Sequence, residues 1–278
     1  NTTTNLYNAV TSPSTTGFDT GIGYLIRTPN NFPTTPTIWP GSFTGVPNNG
    51  TVSLSVSSGT YNAVGNPYPS KIDADAFITD NSITEALYFW RKTNNAATNS
   101  YATYTLAGGA GTGSNSGDPL GLTPNGTIQV GQGFIAKATS STLDFTNSMR
   151  VANSSNQFLR TNENRSRIWL DLSNADGALN QMMVAYMPTA TAAVDAAIDG
   201  RFYGDALSTL TSTINDEAYT IQGRAPFDAT DLVALGFKAE TAGNYTITLS
   251  QFDGLFASTT QAIYLKDTVT NTTHNLRA

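Results

Sequence analysis

A chain of 278 residues with 14 basic and 20 acidic side chains has a net charge of −6, the wrong sign for the clustered basic face that nucleic acid requires. Charged residues are 12% of the total, about half the usual share of a soluble domain, and Thr, Asn, Ser and Gly fill the gap. The absence of cysteine excludes disulfides, cysteine nucleophiles and Cys-based metal sites, and no apolar run approaches the ~20 residues of a membrane-spanning helix.

The chain opens on NTTTNLYNAV, without the basic and apolar regions of a signal peptide, as expected of a mature fragment. Residues 1–20 are polar around Leu6, Tyr7, Val10 and Phe18, which suits a loosely held entry strand. Residues 23–27 (GYLIR) read as the first firm strand, stopped by Pro29. Residues 30–49 are proline-rich and read as a loop. Residues 51–57 alternate, with Val52, Leu54 and Val56 on one face, the mark of a half-buried antiparallel strand.

Residues 61–90 combine three signals. Gly65-Asn66-Pro67-Tyr68-Pro69 is a hard turn, because proline fixes φ and holds its predecessor extended. Ser70 and Asp73 suggest the start of a short helix, a hydroxyl or carboxylate meeting free N–H groups at its positive end. Leu87-Tyr88-Phe89-Trp90 is an aromatic strand, with Tyr88 and Trp90 expected on opposite sides. A strand over 101–106 follows. Residues 107–121, rich in Gly, Ser, Asn and Thr, read as a long flexible excursion. Residues 127–138 read as a strand pair or one bent strand, with Gly131 and Gly133 at bulges; Leu143 and Phe145 close this half.

The polar stretch 152–165 is the expected domain boundary. Beyond it, Ile168, Leu170 and Leu172 alternate on one face, and residues 181–187 are the expected hairpin partner across Asn174-Ala175-Asp176-Gly177. The Ala-rich 191–198 could form one or two helical turns. Strands are expected near 218–221, 231–238, 245–249 and 262–265. With no repeat of 20–50 residues to suggest a solenoid or propeller, this spacing argues for an all-β chain. The expectation is tandem antiparallel β-sandwich domains, jelly-roll or Ig-like, over 1–160 and 161–278, with long loops and one or two short helices.

Catalytic candidates are few. The one histidine, His274, lies on a terminal stretch, a poor place for a base that a third group must orient. No P-loop or dinucleotide fingerprint is present. Asp73 and Asp75, beside Asp80 and Glu85, could be a carboxylate pair of the glycosidase kind, but Asp73 is better explained as a helix cap. No cofactor is expected unless Asp195, Asp199 and Asp205, hard oxygen donors, bind Ca²⁺. Trp39, Trp90, Tyr101 and Tyr104 could form a platform for sugar rings.

The ordered set GNPYPSKIDADAF with its YFW strand, Gly131-Gln132-Gly133-Phe134, Phe145-Thr146-Asn147-Ser148-Met149-Arg150, Arg167-Ile168-Trp169-Leu170 and Ile221-Gln222-Gly223-Arg224, together with Val233–Lys238 (VALGFK), resembles segments of large surface proteins of Bacteroidetes-type bacteria, exported by the type IX secretion system. The resemblance runs from about Gly23 to His274. It implies an extracellular or outer-surface location, and a region upstream of a C-terminal sorting domain. It also implies that Asp267-Thr268-Val269 resembles the O-glycosylation acceptor of such bacteria, with Thr268 as the modified residue. Three functions fit: a non-catalytic adhesin, stalk or surface-assembly module; a carbohydrate-binding accessory domain of a polysaccharide-degrading enzyme; or a filament subunit joined through edge strands. The expected partners are other surface proteins or glycans.

Overall fold

The structure is a computed structural model that describes residues 9–12, 14–26, 44–91, 97–113, 123–151, 165–258 and 260–277. In chain order the elements are β1 (Val52–Ser55), β2 (Tyr61–Gly65), β3 (Ile72–Asp73), α1 (Ala74–Asp80), β4 (Leu87–Trp90), β5 (Tyr101–Thr105), β6 (Gly108–Ala110), β7 (Thr127–Ile128), β8 (Gly133–Lys137) and β9 (Thr142–Phe145). Then come β10 (Ser166–Asn174), β11 (Gly177–Tyr186), β12 (Gly200–Arg201), β13 (Thr209–Ile214) and β14 (Glu217–Arg224). The last are β15 (Leu235–Lys238), β16 (Thr246–Phe252), β17 (Tyr264–Asp267) and β18 (Thr272–Asn275). The fold is all-β and of sandwich type, with a single short α-helix among the described residues. No helix among them is long and apolar enough to cross a membrane.

The chain divides into two compact units, one of Asn1–Asn81 with Thr127–Asn153, the other of Ser82–Gly126 with Ser154–Ala278. A single cut near residue 160 therefore does not describe the division, because residues 82–126 group with the later half. The physical reason lies in β6. Ala107 and Ala110 pack with Trp169, Met183, Ala185 and Ile221 in one apolar cluster, and the Trp169 indole N–H donates to the Gly109 carbonyl at 2.8 Å. The expected flexible excursion over 107–121 is thus, in its first part, a buried strand. Its glycines are there for close approach: a Cβ on Gly108 would strike Arg167, and one on Gly109 would strike the Pro124 carbonyl. The remainder of that excursion, residues 114–122, the boundary stretch 152–164 and most of the loop over 30–49 lie outside the described residues.

In the first unit, β2 pairs with β8, β1 with β9 and β3 with β7, all antiparallel. Its core is aromatic: Phe77 of α1 sits 5.1 Å from Phe134 and 5.0 Å from Phe145, ring centre to ring centre. Ile72, Ile128, Leu143 and Met149 are fully buried around them. The expected strand over 23–27 reduces to one bridge, Ile22 to Val64, with Arg27 outside the described residues. Residues 127–138 are two short strands in separate ladders rather than one bent strand, parted by a turn in which Gly131 takes φ +67°.

In the second unit, β4, β5 and β6 form an antiparallel ladder. The larger sheet runs β15-β13-β14-β11-β10-β16, with β12 also on β14. The β10–β11 hairpin turns where expected, Asn174 Oδ1 accepting from the Asp176 N–H at 3.0 Å. The β11–β14 pair departs from the expected antiparallel plan, since the two strands run parallel. Strand β11 is buried on both faces, Met183 and Ala185 on one side and Met182, Val184 and Tyr186 on the other. That is why ALNQMMVAY reads as a nearly continuous buried run rather than alternating. Residues 191–198 form no helix, because Asp195 accepts from the Thr191 backbone N–H and hydroxyl, bonds that compete with a helical ladder.

Candidate functional site

Strand β4 places its aromatic residues by period. Tyr88 and Trp90, two positions apart, project to the same face, not to opposite sides as expected, since a strand alternates every residue. What separates them is position along the strand. Tyr88 is fully buried, and its hydroxyl donates to the Arg201 carbonyl at 3.2 Å. Trp90, at the strand end, is 45% exposed. Its cross-strand partner is Tyr101, and the two rings meet edge to face at 5.2 Å.

Tyr203, in the loop after β12, completes the group. Its ring lies 4.9 Å from Tyr101 and 4.7 Å from Tyr88. The loop is pinned by Asp205, which accepts from the Ser100 backbone N–H at 3.0 Å and hydroxyl at 2.7 Å. Gly204 is required there, because any side chain would overlap the Asn99 amide. Asn99 donates to the Tyr101 carbonyl at 2.9 Å, and its Oδ1 has no hydrogen-bond partner among the described residues. Trp90 keeps nearly half of its surface exposed, and an exposed indole suits the apolar side of a pyranose ring.

The structure thus brings together Trp90 and Tyr101 of the four aromatics picked from sequence. Tyr104 does not join them: three positions from Tyr101 on β5, it faces the other way, is buried, and lies against Gly126. Trp39 lies outside the described residues. Tyr203 and Asp205 were missed as part of this site, although an aromatic–Gly–Asp loop is a signal sequence reasoning could have weighed.

The three aspartates considered for Ca²⁺ serve separate backbone groups. Asp195 holds Thr191. Asp199, 2% exposed, accepts from the Asp195 N–H and the Gly223 N–H, each at 2.6 Å. Asp205 holds Ser100. Among the described residues no group of three His, Asp or Glu side chains gathers as a metal site would. Burial pushes the Asp199 carboxyl up to about 6, against the pull of its two N–H donors. Beside it, Arg224 grips Asp231 through two nitrogens. That ion pair holds the Asp231 carboxyl below its ordinary range, and burial raises the neighbouring Tyr186 hydroxyl.

Asp73 is the N-cap of α1, its Oδ1 accepting from Asp75 N–H at 2.8 Å and Ala76 N–H at 3.2 Å. Ser70 does not cap; its hydroxyl accepts from Arg150 Nε at 2.8 Å. His274 is exposed on β18, with Thr272 Oγ1 3.3 Å from its Nε2. Thr268 is exposed in the β17–β18 turn, which Asp267 fastens by accepting from Val269 N–H and the Thr270 hydroxyl.

The class these features define is an all-β, sandwich-type protein with a small aromatic patch at the surface of its second unit. The chain belongs to the family described as domain of unknown function DUF8693, whose model matches residues 1–278. No curated protein and no solved structure matches it.

Proposed function

We propose that this chain is a non-catalytic extracellular surface module, a stalk, adhesin or surface-assembly component exported by type IX secretion. The observation that carries this reading is where the segments of the resemblance fall. They are joints of the scaffold. Asn66 accepts from Tyr68 N–H and donates to the Ser70 and Gln129 carbonyls. Tyr68 is buried and donates to the Gly50 carbonyl at 2.6 Å. Gly133-Phe134, Met149, Trp169 and Gly223 lie in ladders or cores. Polar side chains spent on holding backbone in place suit a rigid spacer. The low charge means that contacts to a neighbour rest on hydrogen bonds and aromatic rings rather than on steering. In this setting Thr268, displayed on a hairpin tip, is the position for O-linked glycan.

A second reading, a carbohydrate-binding accessory domain, draws on the exposed Trp90 with Tyr101 and Tyr203. A glycan array probed with the chain and with Trp90→Ala separates the two. A defined sugar signal that Trp90→Ala abolishes favours the accessory domain. The surface-module reading expects no such signal, together with labelling of intact cells by antibody to this chain. Cells that label only after lysis sink it.

A further inference from the structure

Strand β16 stands at one end of the large sheet, with β10 on one side. Its other edge makes no backbone hydrogen bond among the described residues. An open edge is a row of free N–H and C=O groups, and folded chains blunt such rows with charges, prolines or short strands. The opposite end of the sheet is blunted in this way. Strand β15 has four residues and ends on Lys238, and Glu240 follows. Strand β16 has seven, TITLSQF, and residues 241–252 hold neither charge nor proline. Its bulge lies late, at Ser250, since Leu170 pairs with Leu249 and Trp169 with Gln251. Thr246–Leu249 is left as a regular, uncharged edge.

The two faces of this edge alternate. Tyr245, Ile247 and Leu249 pack on the apolar cluster of Leu172, Met182 and Val184 but are only partly buried. Thr246 and Thr248 are exposed. The apolar row thus runs to the rim of the sheet and stops where a further strand would continue it. A strand that continues it must be extended, uncharged and apolar at every second position, and β16 itself has that pattern. Two copies laid antiparallel about Thr248 put Ile247 of one opposite Leu249 of the other, and Thr248 opposite Thr248. Apolar meets apolar on one face and hydroxyl meets hydroxyl on the other, cross-strand pairs of the stabilising kind, with no like charges opposed. A chain of net charge −6 repels its own copies, so a neutral stretch is where two of them approach at least cost.

We propose that β16 is the contact of a two-fold homodimer, in which the open edges of two copies pair antiparallel and join two sheets into one. The same strand serves both copies, so the contact is isologous and closes at two. The joined sheet then ends on β15 at both sides, where Lys238 opposes further growth. The product is a closed pair and not a filament. A strand pair of this length lies at the small end of specific interfaces, so the dimer dissociates on dilution. This inference goes beyond the proposed function and does not depend on it.

The test is sedimentation velocity of the purified full chain over a concentration series, with amide hydrogen exchange at the lowest and highest concentrations. The wild-type mass is expected to rise from one chain towards two and no further. Amides of residues 246–249 are expected to gain protection with concentration, and those of β15 to stay as they were. Thr248→Lys sets two ammonium groups face to face and is expected to remain a single chain, as is Thr248→Glu with two carboxylates. Mixed, the two variants are expected to pair, because opposite charges now meet across the contact, a recovery that misfolded chains would not show. A wild type that stays single at every concentration overturns the proposal, and needs no variant to fold. So does growth beyond two chains, a dimer whose protection falls elsewhere, a Thr248→Lys chain that pairs like the wild type, or a mixture that stays apart.

Discussion

Single side chains do much of the tying in this chain, and Arg224 is a clear case. Its guanidinium reaches Asp231 with two nitrogens, and the side chains are 14% and 18% exposed. Tyr186 shares the same carboxylate. Removing Asp231 leaves an enclosed cation without its partner and a buried hydroxyl without its acceptor, which is costlier than the pair itself is stabilising. Breaking a buried pair from one side costs roughly 3–5 kcal/mol. The remaining exposure here puts Asp231→Ala at the lower end, about 2–3 kcal/mol, since solvent screens part of the loss. Urea unfolding reads this as a fall in midpoint at unchanged slope. Asp231→Asn keeps an acceptor and should lose less; equal losses for the two would mean the charge contributes nothing.

At the scale of elements, α1 shows how local rules give a testable cost. The helix has seven residues, too short to persist on propensity alone, so its cap and its buried Phe77 and Ile78 decide whether it forms. Asp73→Ala removes the acceptor for two N–H groups and is expected to cost about 1 kcal/mol, within the usual 0.5–2. Asp73→Ser should recover most of it, by thermal melts of the two variants. Elements with strong local signals were legible in just this way: the cap, the β10–β11 turn, and the alternation of Val52, Leu54 and Val56. Those missed had signals that read two ways. Strand β6 is GGA, and glycine marks both a loose linker and a place where two layers touch; only the packing of Trp169 and Arg167 against it decides. Strand β13, TLTSTI, shows weak alternation, and its hairpin to β14 turns on Asn215 and Asp216 at positive φ, a cue present in the sequence but not used. The aromatic patch was half legible, because Trp90 and Tyr101 are neighbours across one ladder, whereas Tyr203 reaches it only through tertiary folding.

For the whole molecule, pH acts through a few carboxyls that pull in opposite directions. Asp231, Asp228 and Asp267 all titrate below the ordinary aspartate value, held there first by hydrogen bonds from Arg224, Thr230 and Thr270 respectively. Each adds stability above the unfolded value of 3.8 and loses it as pH falls through the lower folded value. Asp199 has the opposite sign. Its folded value of about 6 lies above 3.8, so between the two the native chain holds a proton that the unfolded chain has released. Stability from this group is full below the unfolded value and is lost as pH rises towards 6. The two effects meet near pH 4. The melting temperature is therefore expected to peak at about pH 4–4.5 and to be lower at pH 7. Asp199→Asn should flatten the descent between pH 4 and 6 and leave the acid limb in place, whatever its effect on absolute stability. A wild-type melting temperature that climbs steadily from pH 4 to 7 would show that Asp199 ionises at no cost, and that its two backbone donors outweigh its burial.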